Sequence, residues 1–196
     1  MKSVRGIVFL VTGRARGIGK LGAEHFAADG AKVVLRDKDR EILENTICEF
    51  LEKGWDAFSY VADITDRSAV YDTASRVKNE VGLMDVLMNN AGIVRGGLFL
   101  ETPDEDHLAT MDVYYNAVMH FTDCMRCEMK RYRKTGVRFT IVCPSYVETG
   151  MFEGAKAQLP APWLEPEVMV DKIYIAYNRN KKTSMSRSTD LRRGRR

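Results

Sequence analysis

Long hydrophobic runs are absent from this sequence. The longest unbroken apolar run near its start, residues 7–11, has five residues, whereas a membrane-spanning helix needs about 20 and the core of a signal peptide about 7 to 15. Cysteine is also scarce, with four in 196 residues, and the thiols of a chain without a secretory segment are typically reduced rather than paired. We therefore expect no membrane span and a cytoplasmic protein.

Excess charge of one sign is confined to the end of the chain. The net charge is +3, but residues 181–196 contain seven Lys and Arg against one Asp, so residues 1–180 sum to −3. A basic segment without aromatic residues is typical of a solvated tail. We expect one folded domain over residues 1–180 and a basic disordered tail over 181–196. Because no aromatic ladder or known motif accompanies the basic residues, specific nucleic-acid binding is not expected.

Short β-branched runs alternate with longer amphipathic stretches from the start of the chain. Strands are predicted at residues 6–12, 31–35, 57–62 and 84–88, with helices between them at 18–28, 40–53 and 67–81. This alternation is typical of repeated β-α units around a parallel sheet.

Three further elements are predicted in the second half. A helix is expected after Thr102, with Thr102 as its cap, Pro103 in its first position and Glu105 in the reciprocal capping position. A strand at residues 137–143 and a helix at 166–177 follow.

A glycine-rich turn follows the first predicted strand. Residues 12–19 read Thr-Gly-Arg-Ala-Arg-Gly-Ile-Gly and open into a helix. Gly13 permits a tight turn, Gly17 lets the backbone approach a pyrophosphate, and Gly19 allows close packing, while the helix N-terminus directs N–H groups at an anion. The pattern alone is weak, but its place between a strand and a helix favours a dinucleotide site over a structural turn.

An acidic residue ends the second predicted strand. Asp37 lies 18 residues after Gly19, where a carboxylate can accept hydrogen bonds from the adenine-ribose hydroxyls, and this favours NAD. Arg16, Arg36 and Lys38 fall in the same part of the predicted fold, and a basic residue there could hold the 2′-phosphate of NADP instead. The structural alternative for Asp37 is a helix N-cap.

Four elements together resemble the short-chain dehydrogenase/reductase family. They are the glycine turn, Asp63-Ile64 after the third strand, Asn89-Asn90-Ala91-Gly92 after the fourth, and Pro-Ser-Tyr-Val-Glu-Thr at residues 144–149. The resemblance covers residues 6 to about 178, and residues 140–153 look most like the retinol dehydrogenase and 17β-hydroxysteroid dehydrogenase branch. It implies a Rossmann fold, an α/β domain with a doubly wound parallel sheet.

The resemblance implies a cofactor role for each matched residue: the matches after the third strand border the adenine, those after the fourth line the ribose, and those after the last meet the nicotinamide. The predicted cofactor-binding residues are Gly13, Arg16, Gly17, Ile18, Gly19, Asp37, Asp63, Ile64, Asn90, Ala91, Gly92, Val147 and Thr149. Ser145 stands where the family usually has Gly, so this loop should approach the cofactor less closely.

The family's proton relay has no counterpart here. It consists of a Tyr, a Lys four residues later and a Ser, with a supporting Asn that Asn116 matches. The strand and helix that carry the relay need about 30 residues, but only the 20 residues 117–136 precede the next predicted strand. Tyr177 alone has a lysine, Lys181, four positions on, and its late place predicts a chance match. We expect a Rossmann fold that lacks one β-α unit.

By lineage the chain is expected to transfer hydride between NAD, or alternatively NADP, and a retinoid, steroid or other lipid-like alcohol or carbonyl. Its own residues leave two other functions open: an inactive dinucleotide-binding protein that pairs as a homo- or heterodimer, and an unstable truncated product. No metal site is expected, since His120, Cys124 and Cys127 share a helix face without a fourth ligand. The family implies endoplasmic reticulum or lipid-droplet association as the alternative to the cytoplasm, but the anchor of that branch is not recognisable here.

Overall fold

A parallel four-stranded sheet forms the centre of the domain. The computed structural model describes residues 3–13, 17–93, 102–120, 141–143, 147–151, 163–178 and 183–185. The strands β1 (Val8–Thr12), β2 (Lys32–Asp37), β3 (Ala57–Val61) and β4 (Val86–Met88) lie in the order β3-β2-β1-β4. All three pairings are parallel, so the predicted parallel α/β sheet is confirmed.

Helices connect these strands as the periodicity predicts. They are α1 (Gly17–Ala28), α2 (Arg40–Glu52) and α3 (Arg67–Glu80). The last two begin at aspartate caps: the Asp39 carboxylate accepts from the Ile42 N–H and the Asp66 carboxylate from the Ala69 N–H. Each cap satisfies a backbone donor that the helix itself leaves without a partner.

The alternating side chains of β1 and β2 divide the core into two layers. Phe9, Val11, Val33 and Leu35 face α1 and α2, where Phe26, Leu43 and Phe50 are buried. Val8, Leu10 and Val34 face α3, with Tyr60, Val70 and Val77. Since both faces are covered, these strands consist of almost continuous apolar residues, as parallel sheets require. The sheet is therefore doubly wound, as predicted.

The next helix, α4 (Asp104–Met111), begins later than the capping pattern predicts. Its N-cap is Pro103, without a side-chain cap hydrogen bond, so the assignment of Thr102 as the cap is wrong. Three acidic residues in the first turn, Asp104, Glu105 and Asp106, interact favourably with the helix dipole in place of a cap. A π-helical turn, Asp112–Asn116, extends α4, and residues 117–120 are helical again.

The last described elements include a second, two-stranded sheet. Strand β5 (Ile141–Cys143) pairs in parallel with β6 (Thr183–Met185), and helix α5 (Pro166–Asn178) lies between them in the chain. Within the described ranges β4 pairs with β1 alone, and β5 does not join the four-stranded sheet. The sequence predicts a missing β-α unit between β4 and β5, and this stays a prediction because most of residues 117–136 lie outside the described ranges. Residues 183–185, inside the predicted tail, are paired as a strand.

No helix in the described part of the chain is both long and apolar enough to cross a membrane.

Phe26 joins α1, β1 and α5, and it generates a stability prediction. Its ring stacks on Phe9 at a centroid distance of 4.1 Å and meets Tyr174 and Tyr177 edge-on. Because Phe26 is buried, Phe26→Ala should lower the free energy of unfolding by about 3–5 kcal/mol in urea titrations. Leu51→Ala is the control, since Leu51 is 55% exposed and should change it by less than about 0.5 kcal/mol. Equal losses in both variants would contradict this packing.

Candidate functional site

The loops that follow β1, β2 and β4 emerge at one edge of the sheet, because parallel strands end on the same side. Gly13 and Gly17 adopt left-handed conformations, with φ of 64° and 59°, and α1 begins at Gly17. Ile18 and Gly19 belong to the first turn of α1. Residues 14–16, which include the predicted site residue Arg16, are not among those described. The glycine turn thus leads into a helix N-terminus that is free of acidic residues, as anion binding requires.

A network of four hydrogen bonds joins the turn after β1 to the turn after β4. The Asn90 Nδ2 donates to the carbonyl oxygens of Thr12 and Gly13, at 3.1 and 2.7 Å. The Thr12 Oγ1 accepts from the backbone N–H groups of Asn90 and Ala91, both at 3.2 Å. Thr12 is buried. The two loops therefore hold each other in one fixed arrangement.

The same loops touch through backbone as well. A Cβ at Gly13 would overlap with the backbone of Ala91, so only glycine allows this approach. On the other side of the turn, a Cβ at Gly17 would lie 2.8 Å from the Thr149 Cγ2. The structure thus brings Gly13, Gly17, Ala91 and Thr149, four of the predicted site residues, to one place.

Asp37, at the end of β2, is half-buried. Its Oδ1 accepts from the Asp39 N–H at 3.1 Å, and Asp39 is the N-cap of α2. The alternative interpretation of Asp37 as the cap is therefore wrong. Gly13 N–H donates to the carbonyl of Arg36 at 3.0 Å, which ties the end of β2 to the glycine turn. Asp37 thus lies beside the turn, on the side toward β3.

Asp63 and Ile64 follow β3 at the same edge. The Asp63 Oδ1 accepts from the N–H and the hydroxyl of Thr65, at 2.9 and 2.8 Å, and this local turn fixes the carboxylate. Ile64 is half-buried and packs against the α3 layer of the core. Both residues lie next to Asp37, since β2 and β3 pair with Asp37 opposite Val61.

Arg36 lies below this part of the edge and is fully buried. Its Nη2 donates to the Asp63 carbonyl at 3.3 Å, so its guanidinium supports the Asp63 turn from inside. A fully buried side chain is poorly placed to grip a 2′-phosphate. Of the three basic residues that the sequence offers for this role, Lys38 is exposed and Arg16 falls in an undescribed segment.

The loop after β5 provides the opposite wall. Val147 is buried and pairs with Leu164 in an isolated parallel bridge, and the Glu148 N–H donates to the Leu164 carbonyl at 2.9 Å. This pairing holds Thr149 against Gly17. Ser145 belongs to residues 144–146, which the structure leaves out. Val147 therefore anchors the loop, while Thr149 reaches the glycine turn.

Asn116, the predicted catalytic residue, is exposed, and its Nδ2 donates to the Asp112 Oδ1 at 2.8 Å. Two residues earlier, the Tyr114 hydroxyl donates to the Ile93 carbonyl at 2.6 Å. Tyr114 of this helix therefore contacts the loop after β4.

Tyr177 lies at the other edge of the sheet. Burial, followed by the negative charge of Asp85, raises the pKa of its hydroxyl. Asp85 precedes β4, and its Oδ2 accepts from the N–H of Val8 at the start of β1 at 3.0 Å. A catalytic tyrosine needs a lowered pKa at the carboxyl edge, so the geometry favours a structural role for Tyr177 in the packing against Phe26.

Sequence reasoning missed two site residues, Thr12 and Tyr114. Thr12 could have been found, because it is the first residue of the glycine motif. Nothing in the local pattern distinguishes Tyr114 from Tyr115, its neighbour in the same turn. The direction of each side chain depends on the π-helical turn, which the apolar periodicity does not predict.

Comparison with known proteins adds an independent line of evidence. A family model described as short chain dehydrogenase matches residues 7–132. The bovine short-chain dehydrogenase/reductase family 16C member 6 is 32% identical, covering 88% of this chain and 69% of that protein. Human epidermal retinol dehydrogenase 2 is also 32% identical, with 88% and 71% covered. Estradiol 17-beta-dehydrogenase 11 of Macaca fascicularis is 28% identical, with 88% and 72% covered.

Solved structures share the fold at lower identity. A short-chain dehydrogenase/reductase from Burkholderia phymatum, in complex with NAD, superposes with a TM-score of 0.82 at 18% identity, covering 98% of this chain and 92% of that one. A short-chain dehydrogenase from Sphingobium yanoikuyae, in complex with NADPH, gives 0.78 at 17% identity, with 91% and 87% covered. The glycine turn, its contacts with the loop after β4 and the family match over residues 7–132 agree: this chain belongs to the short-chain dehydrogenase family of oxidoreductases.

Proposed function

We propose that this chain binds NAD(H) along the carboxyl edge of its sheet but lacks the proton relay that dehydrogenase turnover requires. The observation that carries the proposal is the network between Asn90, Thr12 and Gly13. It keeps two cofactor-facing loops of the family in contact at the end of β4, a strand that pairs with β1 alone among the described strands.

The residues present fit a dinucleotide. Gly13 and Gly17 leave backbone without side chains at the start of α1, where N–H groups and the helix dipole attract a pyrophosphate. Ile18, Gly19 and Arg16 would complete this part of the site. A side chain at either glycine would collide with Ala91 or Thr149, so these glycines keep the turn tight and let its backbone lie close to a pyrophosphate.

The rest of the cofactor would follow the edge of the sheet. Asp37 would accept from the adenine-ribose hydroxyls, and Asp63 and Ile64 would border the adenine. Asn90, Ala91 and Gly92 would line the second ribose. Thr149 would face the nicotinamide end, with Val147 holding its loop in place. The adenine end is the more complete half, since residues 6–92 build it alone.

The bound cofactor would supply the hydride chemistry, accepting or donating a hydride at its nicotinamide ring. The chain's own contribution is to bind and orient it: backbone N–H groups hold the phosphates, and the Asp37 carboxylate selects the ribose. A proton must also leave or reach the substrate oxygen. For this step a phenol with an ordinary pKa near 10 is a poor acid or base unless a nearby cation stabilises its anion.

Two observations favour loss of the relay. Tyr177 is the only tyrosine with a lysine four positions on, and it lies at the opposite edge of the sheet. In addition, the alignment with the bovine relative extends over 222 residues, more than the 196 of this chain. That relative therefore contains segments without a counterpart here, in keeping with a missing β-α unit.

The relatives favour a substrate class for the lineage. They are named retinol and estradiol dehydrogenases, so a retinoid, steroid or similar lipid alcohol or carbonyl is the substrate to test for residual activity.

An inactive partner protein is the second candidate. Leu108, Met111 and Tyr115 on α4 and its extension are each more than half exposed, and the spacing of three residues between Leu108 and Met111 places these two on one side of α4. Exposed apolar side chains in such an arrangement favour pairing with another chain, as a homodimer or with an active relative.

Gly17→Glu tests the pyrophosphate site. The variant adds bulk beside Thr149 and a negative charge at the phosphates, so it should abolish the rise in melting temperature that NADH gives the unsubstituted chain. Gly54→Glu is the matched control, because Gly54 also has a positive φ, of 73°, but has no atom within 4 Å of a Cβ. A full NADH response in Gly17→Glu would place the phosphates elsewhere.

Asp37 generates a prediction about cofactor preference. Its carboxylate repels a 2′-phosphate at close range, so NADH should bind at least ~10-fold more tightly than NADPH in calorimetric titrations. Asp37→Asn should reduce the difference in affinity between NADH and NADPH. Asp39→Asn should leave this difference unchanged, because it removes the same charge two residues away and keeps a competent cap. If the unsubstituted chain binds NADPH more tightly than NADH, a basic residue that holds the 2′-phosphate outweighs the repulsion from Asp37.

Turnover should be absent or at least ~100-fold below that of an intact relative, because general acid-base catalysis contributes typically about 10² to 10⁴. The assay is NAD-linked oxidation of retinol and of a 17β-hydroxysteroid, with Tyr177→Phe beside the unsubstituted chain. Turnover comparable with the relative would contradict the proposed loss of the relay. Turnover that disappears only in Tyr177→Phe would assign the proton transfer to Tyr177.

A further inference from the structure

Tyr114 contacts the loop after β4 in two ways. Its hydroxyl donates to the Ile93 carbonyl at 2.6 Å. Its ring covers Gly92, where a Cβ would lie 2.7 Å from the hydroxyl oxygen and 3.1 Å from the Cε1. Gly92 is not among the glycines with a positive φ, so the backbone itself would accept alanine there. The space above Gly92 is therefore limited by Tyr114.

The π-helical turn directs Tyr114 to this loop. Tyr114 is the central residue of Asp112–Asn116, and the turn is closed by the Ala117 N–H donating to the Asp112 carbonyl. Asn116 adds a side-chain bond to Asp112. A π-helical turn contains more residues than an α-helical one, which changes the direction of the side chains, and such turns are frequent at functional sites. Here the rearranged turn places a phenol on the loop after β4.

Contacts run without interruption from α4 to the glycine turn. Tyr114 holds Gly92 and Ile93 from one side. Thr12 and Gly13 hold Asn90 and Ala91 from the other. The loop after β4 is thus fixed between the helical segment that contains Tyr114 and the glycine turn. The contact on the helix side is made by a residue that follows β4 in the chain, whereas the glycine turn precedes it.

We propose that Tyr114 is a positioning residue for the nicotinamide half of the cofactor. By fixing Gly92 and Ile93, it sets the position of the loop that would line the second ribose. The adenine end would be formed by other loops. The inference rests on the proposed dinucleotide binding. It assigns no proton transfer to Tyr114, whose hydroxyl is engaged by the Ile93 carbonyl.

The test compares Tyr114→Phe with Tyr115→Phe in the full chain. Both remove one hydroxyl from the same turn, and Tyr115 is the more exposed of the two, at 57% against 48%. Dissociation constants are measured for NADH and for AMP, which carries only the adenine half. Tyr114→Phe should weaken NADH binding about 3- to 10-fold, in line with the net value of one hydrogen bond. Its AMP affinity should change less than about twofold, and Tyr115→Phe should change neither.

Hydrogen exchange gives a second readout without any ligand. Backbone amides of residues 89–93 should exchange faster in Tyr114→Phe than in Tyr115→Phe, because the loop loses its outer support. Gly92→Ala should likewise weaken NADH more than AMP, since the added methyl group displaces the ring. A purely structural role would instead lower AMP and NADH affinity together.

The outcomes separate the two proposals. If the unsubstituted chain binds AMP and NADH but the two Phe variants bind NADH equally, the role of Tyr114 is wrong and the proposed function stands. An equal loss of AMP and NADH affinity in Tyr114→Phe also overturns the role. If the unsubstituted chain binds neither nucleotide, the proposed function is wrong, and the role of Tyr114 falls with it.

Discussion

The hydrogen bonds between Asn90 and the Thr12-Gly13 turn are the constraint on which the rest of the site depends. One side-chain amide donates to two consecutive carbonyls, and one hydroxyl accepts two consecutive N–H groups. These groups end β1 and β4, where the sheet no longer satisfies backbone donors and acceptors. Leaving them without partners in a buried place would cost about 1–3 kcal/mol each. The same bonds that satisfy the strand ends therefore also fix the two loops of the candidate site.

The two halves of the candidate site come from two different sheets in the described part of the chain. The loops proposed for the adenine end follow β1, β2 and β3, which are packed on both faces. The loop proposed for the nicotinamide end follows β5, which belongs to a separate two-stranded sheet. Their connection to the first half runs through Thr149 against Gly17 and through the packing of α5 on α1. In the described residues, a sheet packed on both faces thus supports the glycine turn, while the smaller sheet supports the loop that carries Thr149.

The ionisable side chains of Arg36, Asp37 and Tyr177 lie in different surroundings. The buried guanidinium of Arg36 holds the Asp63 carbonyl, so a cation at the end of β2 serves the architecture. The carboxylate of Asp37 remains at the edge, half-buried. At Tyr177, burial and the charge of Asp85 raise the pKa, which keeps the phenol protonated, and its ring packs edge-on against Phe26.

The sequence by itself determined the parallel α/β class, the bounds of most elements to within about two residues, the glycine turn at the start of α1 and the order of the family's motifs. These features depend on local spacing: apolar residues at strand and helix periods, and glycines where the backbone turns. Tertiary structure decided the burial of Arg36, the contact of Tyr114 with the loop after β4, and the pairing of β5 with β6 apart from the main sheet. Those outcomes depend on contacts between residues far apart in the chain, whose partners no local pattern specifies.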